Sequence, residues 1–143
     1  MKRTLAHLLI GCLALSLSVS AWADITGKVV GVTDGDTITV LRDRQQVKVR
    51  LVDIDAPEKA QPFGNRSKRA LDALVHSKEV LVVERGKDRY QRILAVLWDE
   101  QVNVNLLLVA MGYAEVYRGT RCQAYCEDLY RAEVKPKRDR MGM

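Results

Sequence analysis

Three short segments of the 143-residue chain concentrate side chains that could handle a charged substrate. Asp34-Gly35-Asp36-Thr37 sets two carboxylates around a glycine, so the backbone can turn tightly and both acids can face one hard cation. Asp-Gly is among the commonest turn pairs, and taken alone the segment reads first as a hairpin turn. Arg50-Leu51-Val52-Asp53-Ile54-Asp55-Ala56-Pro57-Glu58 carries three acids and an arginine. In a strand, Arg50 shares a face with Val52 and Ile54, opposite Leu51, Asp53 and Asp55. Pro57 must break the ladder, which leaves the last carboxylates at a strand end; by itself this is a solvated acidic exit. Asp88-Arg89-Tyr90-Gln91-Arg92 is a charged connection with one aromatic, by itself a solvated loop.

Together the three segments offer acid ligands for one hard divalent cation, two arginines and a spare carboxylate. Carboxylate and carbonyl oxygens suit such a cation. Arginine forks match phosphate oxygens bidentately and keep their charge at any useful pH. The combination suits a phosphodiester better than a peptide or a sugar. The chain has no glycine-rich phosphate loop, no H-E-x-x-H and no G-x-S-x-G.

The elements that must position these groups are short. Residues 25–32, 37–42 and 46–52 are rich in β-branched side chains and separated by turn residues, which predicts a three-strand meander. Phe63, Ala70, Leu71, Leu74 and Val75 then fall on one face of a helix, with Arg66, Lys68, Arg69 and Asp72 outside it. Residues 79–84 and 92–98 return to strand character, joined by the polar segment 85–91. A helix is expected from Val104 to Met111, with Gly112 as its stop signal. Cys122, Tyr125, Cys126 and Leu129 make a last helical stripe, followed by a basic tail, Lys135-Pro136-Lys137-Arg138. Five short strands around an intervening helix predict an α+β fold built on a small OB-type barrel with about three helices.

The N-terminus has a different character. Lys2 and Arg3 precede an apolar stretch, Leu5 to Val19, too short and interrupted to span a bilayer, and Ala21-Trp22-Ala23 has the small-x-small pattern of a peptidase site. Residues 1–23 therefore read as a signal peptide. A lipoprotein site at Cys12 would leave too short an apolar region before it. Residues 24–143 remain as one basic domain, secreted or periplasmic. Hydrophobic content of 48% against 29% charged residues excludes disorder. Cys122 and Cys126 are the two thiols left, and an oxidising compartment favours their pairing, across what reads as one helical turn.

The order D-G-D-T, then R-L-V-D-I-D-A-P-E, then D-R-Y-Q-R resembles the staphylococcal nuclease (thermonuclease) family, over about residues 25–133 and including V-N-L-L-L-V-A-M-G. The resemblance implies an OB-type barrel and a calcium-dependent phosphodiesterase acting on DNA and RNA, leaving 3′-phosphate ends. It implies Asp36 and Asp55 as side-chain Ca²⁺ ligands, the carbonyl of Ala56 as a backbone ligand, and Asp34 close by, with one Ca²⁺ per chain. Arg50 and Arg92 match the two catalytic arginines and Glu58 the general base. Tyr90 and Arg89, with Tyr113 and Tyr117, match positions at the nucleotide pocket. Two departures stand out: the extended lysine-rich loop after Glu58 is missing, and Gln91 stands where glycine is common. The alternative function is a non-catalytic OB module that binds single strands through a basic face and tyrosines. A monomer with no obligate protein partner is expected.

Overall fold

The computed structural model describes residues 24–119 and 121–141, so the expected signal peptide lies outside the described residues. Three long antiparallel strands come first: β1 (Ile25–Asp34), β2 (Thr37–Arg42) and β3 (Gln45–Leu51). Along the first half of β1, buried and exposed positions alternate, which puts Ile25, Gly27 and Val29 inside and Thr26, Lys28 and Val30 outside. The rest of the chain follows as β4 (Ile54–Asp55), α1 (Gly64–Val75), β5 (Glu79–Lys87), β6 (Ile93–Asp99), β7 (Val102–Asn103), α2 (Val104–Ala110), β8 (Glu115–Val116) and α3 (Cys126–Arg138).

The sheet runs β3-β2-β1-β5-β6, and β3 pairs in parallel with β6, so the five strands close into a mixed OB-type barrel with three helices outside. Closure removes the sheet edges and brings the second and third chemical segments side by side: Arg50 lies opposite Leu94, two residues beyond Arg92. Ile38, Val40, Val49, Leu51, Val82 and Leu97 fill the interior, while Leu71 and Val75 of α1 and Leu108 of α2 join the same core.

Two local devices fix the geometry near the strand ends. Asn105 is 2% exposed; its side-chain oxygen accepts from Leu97 N–H at 3.0 Å and its amide donates to the Val52 carbonyl at 3.0 Å. That satisfies a buried amide and pins the end of β3 to β6. Gly112 takes φ 76°, with its N–H on the Val109 carbonyl and the Tyr113 N–H on the Leu108 carbonyl, the doubled bond of a left-handed glycine stop. Tyr113 is thereby turned back so that its carbonyl accepts from Ser67 Oγ of α1.

Several sequence expectations change. The strand carrying Arg50 ends at Leu51, one residue before its expected end; Asp53 sits in a left-handed turn at φ 63° and is 5% exposed, so it is not part of a solvated acidic exit. β5 extends to Lys87, because the Gly86 bulge lets pairing with β6 continue. Phe63 precedes α1 in a left-handed conformation instead of joining its face. Cys122 and Tyr125 precede α3, which starts at Cys126, so the Cys122–Cys126 disulfide ties an incoming loop to the helix start rather than clipping a helical turn. Lys135 to Arg138 are helical rather than a tail, with Pro136 buried inside α3.

Candidate active site

The D-G-D-T segment is a tight turn between β1 and β2, and its carboxylates are organised rather than merely solvated. Asp34 Oδ1 accepts the Asp36 N–H at 3.2 Å, Asp36 Oδ1 accepts from Thr37 Oγ1 at 2.8 Å, and the Asp36 carbonyl accepts from Leu51 N–H at 2.8 Å. Gly35 is required by close approach rather than by its φ: a Cβ there would sit 2.7 Å from the Ala56 Cβ and collide with Ser67 of α1. The glycine lets helix and turn pack against each other, so both acids are held from below.

Arg50 points from β3 into this turn. Its Nη2 lies 3.0 Å from Asp36 Oδ2 and 2.9 Å from Asp55 Oδ1, so one nitrogen bridges two carboxylates from separate segments of the chain. Asp36 is 6% exposed; burial, with the nearby Asp34 charge adding to it, pushes its carboxyl up to about 6 against the opposing pull of Arg50. The Ala56 N–H faces Asp36 Oδ2 at 3.4 Å. Asp55 pairs across β4–β8 with Glu115, and the two line a cavity of about 270 Å³ with Ala56, Pro57 and Gln61. Glu115 carries no sequence signal for this place, because only the β4–β8 register brings it there.

Among the described residues, no group of three His, Cys, Asp or Glu side chains is gathered as a ready metal site. The donor set nevertheless fits a hard divalent cation. Asp36 and Asp55 converge on one point, Arg50 Nη2, with Asp34 and Ala56 beside them, and carboxylate and carbonyl oxygens are the donors such a cation takes.

Arg92 is held by Asp88, at the start of the same segment. Asp88 Oδ2 accepts from Arg92 Nε at 2.7 Å, and Asp88 Oδ1 accepts the backbone N–H groups of Tyr90 at 2.8 Å and Arg92 at 3.0 Å. Burial would raise the Asp88 carboxyl, but these bonds outweigh it and hold it below the usual carboxylate range. A recognisable signal existed: an Asp accepting from N–H groups two and four residues on makes a side-chain turn. Gln91, at φ 63°, occupies the left-handed position that explains why glycine is common there.

Tyr90 is 64% exposed and lies beneath the guanidinium groups of Arg89, at 4.7 Å, and Arg92, at 5.5 Å. Tyr117 lies 5.9 Å from the Arg50 guanidinium carbon and lines, with Arg50, Asp53, Asp88 and Gln123, a cavity of about 220 Å³. Tyr113 is not brought to the arginines; it packs on the core and beside Phe63 at 6.4 Å. Glu58 is exposed, with its N–H on Gln61 Oε1 at 2.7 Å and its carboxylate unpaired among the described residues. A Cβ at Gly64 would strike the Glu58 backbone, so this glycine lets α1 seat the loop that carries Glu58.

The family model described as Staphylococcal nuclease homologue matches residues 48–143, a span that includes Arg50, Asp55, Glu58 and Arg92 but starts after the D-G-D-T turn. Relatives that align with the whole chain cover that turn as well. Micrococcal nuclease of Shigella flexneri is 40% identical over 100% of this chain and 88% of its own length. Protein ParB of Escherichia coli is 41% identical over 100% of this chain and 87% of its own length. Thermonuclease of Staphylococcus hyicus is 33% identical over 65% of this chain and 61% of its own length.

Proposed function

This chain belongs to the staphylococcal nuclease family, and we propose that it is a calcium-dependent nuclease that hydrolyses DNA and RNA with little sequence specificity. The observation that carries the reading is the convergence of Asp36 and Asp55 on Arg50, with a second arginine, Arg92, gripped by Asp88 nearby. The relatives named as nucleases support it.

Asp36 and Asp55, with the Ala56 carbonyl and Asp34 close by, are the residues that would hold Ca²⁺. Bound there, Ca²⁺ supplies charge neutralisation at the scissile phosphate and a positioned water. Arg50 and Arg92 bind the phosphate oxygens and stabilise the charge that redistributes over them in the transition state. Glu58, with a free and solvated carboxylate, accepts the proton of the attacking water. The new P–O bond forms in line as the P–O5′ bond breaks; the 5′ oxygen leaves, takes a proton from solvent, and the phosphate stays on the 3′ end. Tyr90 and Tyr117, each exposed beside an arginine, offer faces to the neighbouring nucleotide. Arg89 adds positive charge at the rim.

We read residues 1–23 as a signal peptide and residues 24–143 as a single secreted or periplasmic domain, working as a monomer. Among the described residues, no helix is long and apolar enough to cross a membrane. The test is cleavage of DNA and RNA with calcium and with chelator, followed by end-group analysis. Calcium-dependent products with 3′-phosphate ends are expected. Strand binding without cleavage under either condition would instead establish the non-catalytic OB module.

A further inference from the structure

Asp53 is a buried acid with no part in the hydrolytic chemistry, yet it sits between Arg50 and Asp55 in the chain and lines the cavity beside Arg50. Its Oδ1 accepts the Gln123 N–H at 2.9 Å and its Oδ2 the Ala124 N–H at 2.7 Å, while its own carbonyl accepts the Tyr117 N–H at 2.9 Å. One residue thus holds both ends of the segment that presents Tyr117 and Gln123 to the cavity. Its left-handed backbone, at φ 63°, is what turns carboxylate and carbonyl toward that segment together.

The two N–H groups lie inside the ring closed by Cys122 and Cys126, whose Cα atoms are 5.9 Å apart. Residues 121–125 belong to no helix or strand, so no ladder holds these amides in place. The covalent ring fixes them as an adjacent pair, and a bond from a backbone N–H to an ionised carboxylate is stronger than a bond between two neutral groups. Tyr125 closes the unit on the far side with its ring edge-on to Trp98, centroids 5.8 Å apart.

We propose that Asp53 and the disulfide ring act as one unit that positions Tyr117 and Gln123 as a nucleotide-binding wall next to Arg50. Asp53 is a positioning residue: it touches no reacting atom and works through the wall. The inference rests on the nuclease reading for the identity of the ligand, a nucleotide of a single strand adjacent to the bound phosphate. Its consequence is selective. Loosening the wall weakens substrate binding and leaves the arginines and the acids of the metal site where they are, so KM rises while turnover at saturation is retained.

The experiment uses Asp53→Gly, Asp53→Asn and the double Cys122→Ser/Cys126→Ser variant in the full chain. Glycine keeps the positive φ and removes both side-chain bonds; asparagine keeps the φ and one acceptor. Cleavage kinetics on a single-stranded oligodeoxynucleotide are measured with calcium, and affinity for the same oligonucleotide is measured with chelator. Circular dichroism and calcium titration show that each variant is folded and holds metal. Expected are about tenfold rises in KM and Kd for Asp53→Gly and for the serine pair, about 1.4 kcal/mol of lost binding. A smaller rise is expected for Asp53→Asn, with kcat within about twofold throughout. Combining Asp53→Gly with the serine pair should add little to either alone, because both changes dismantle the same unit. Unchanged KM and Kd in folded variants, a fall in kcat at constant KM, or full additivity would overturn the proposal. If the parent protein does not cleave, the nuclease reading fails, and the oligonucleotide affinities alone decide whether the wall exists.

Discussion

Asp88 grips Arg92 at two places, taking Nε on one carboxylate oxygen at 2.7 Å and the backbone N–H on the other at 3.0 Å. Among the described residues the terminal nitrogens of this guanidinium have no partner, and they can form the fork that a phosphate needs. Asp88→Ala should therefore leave the barrel folded but let Arg92 swing, lowering turnover by about tenfold or more, the cost of a misplaced transition-state donor. Kinetics together with a thermal melt check it; a folded variant with parental turnover would remove Asp88 from the site.

The arginines themselves separate charge from geometry. Arg50→Lys and Arg92→Lys keep the charge and lose the fork, and each should cut turnover by at least ~10²-fold, the scale for one preorganised donor. Glu58→Gln should slow turnover while oligonucleotide and calcium affinities stay near parental, because its work is on the water. Circular dichroism and calcium titration exclude unfolding as the cause.

Asp36→Ala or Asp55→Ala removes one of the two converging carboxylates, so calcium-stimulated cleavage should be lost in both. The metal-free Asp36→Asn protein should melt no lower than the parent at neutral pH, since a buried charge at the crowded turn has gone. Calorimetric calcium titration and melting curves in chelator provide the measurements.

Glu133 supplies the pH dependence. It is 6% exposed, and burial would raise its carboxyl. Hydrogen bonds from Arg118, the Val116 N–H and Lys137 outweigh that and hold it below the ordinary value of 4.5. A depressed carboxyl binds fewer protons when folded than when unfolded, so its contribution is present above about pH 4.5 and is lost as pH falls through the folded value. Glu133→Gln should lower stability by about 1–3 kcal/mol at pH 7, and the deficit should shrink steadily below about pH 4.5. Denaturant titrations at a series of pH values decide; a deficit independent of pH would show the interaction is not electrostatic.

Export and thiol chemistry can be read on the same sample. Secreted or periplasmic material should begin at Asp24 by N-terminal sequencing, and alkylation without reductant should label neither Cys122 nor Cys126. A chain beginning at a lipid-modified Cys12 would contradict the first expectation, and two alkylated thiols the second.

Local sequence encodes the alphabet of the site and most of the fold. The β-branched runs at residues 25–32 and 37–42, the helical spacing of Ala70, Leu71, Leu74 and Val75, and the stop at Gly112 are local patterns, set by side-chain type and spacing and by backbone φ, and they reappear in the structure. The three chemical segments are legible only in combination, since each by itself reads as a turn, a solvated exit or a solvated loop. The remainder depends on contacts between distant residues, which folding alone brings about. The parallel β3–β6 pairing puts Arg50 beside the strand that follows Arg92, the β4–β8 register sets Glu115 against Asp55, and Ser67 and Ala56 press on Gly35. Asp53 shows the limit most sharply. By alternation it belongs to the face of Asp55, a solvated acid at a strand exit. The amides that make its burial favourable belong to Gln123 and Ala124, far along the chain in a loop whose shape depends on a disulfide, and no local pattern encodes their arrival.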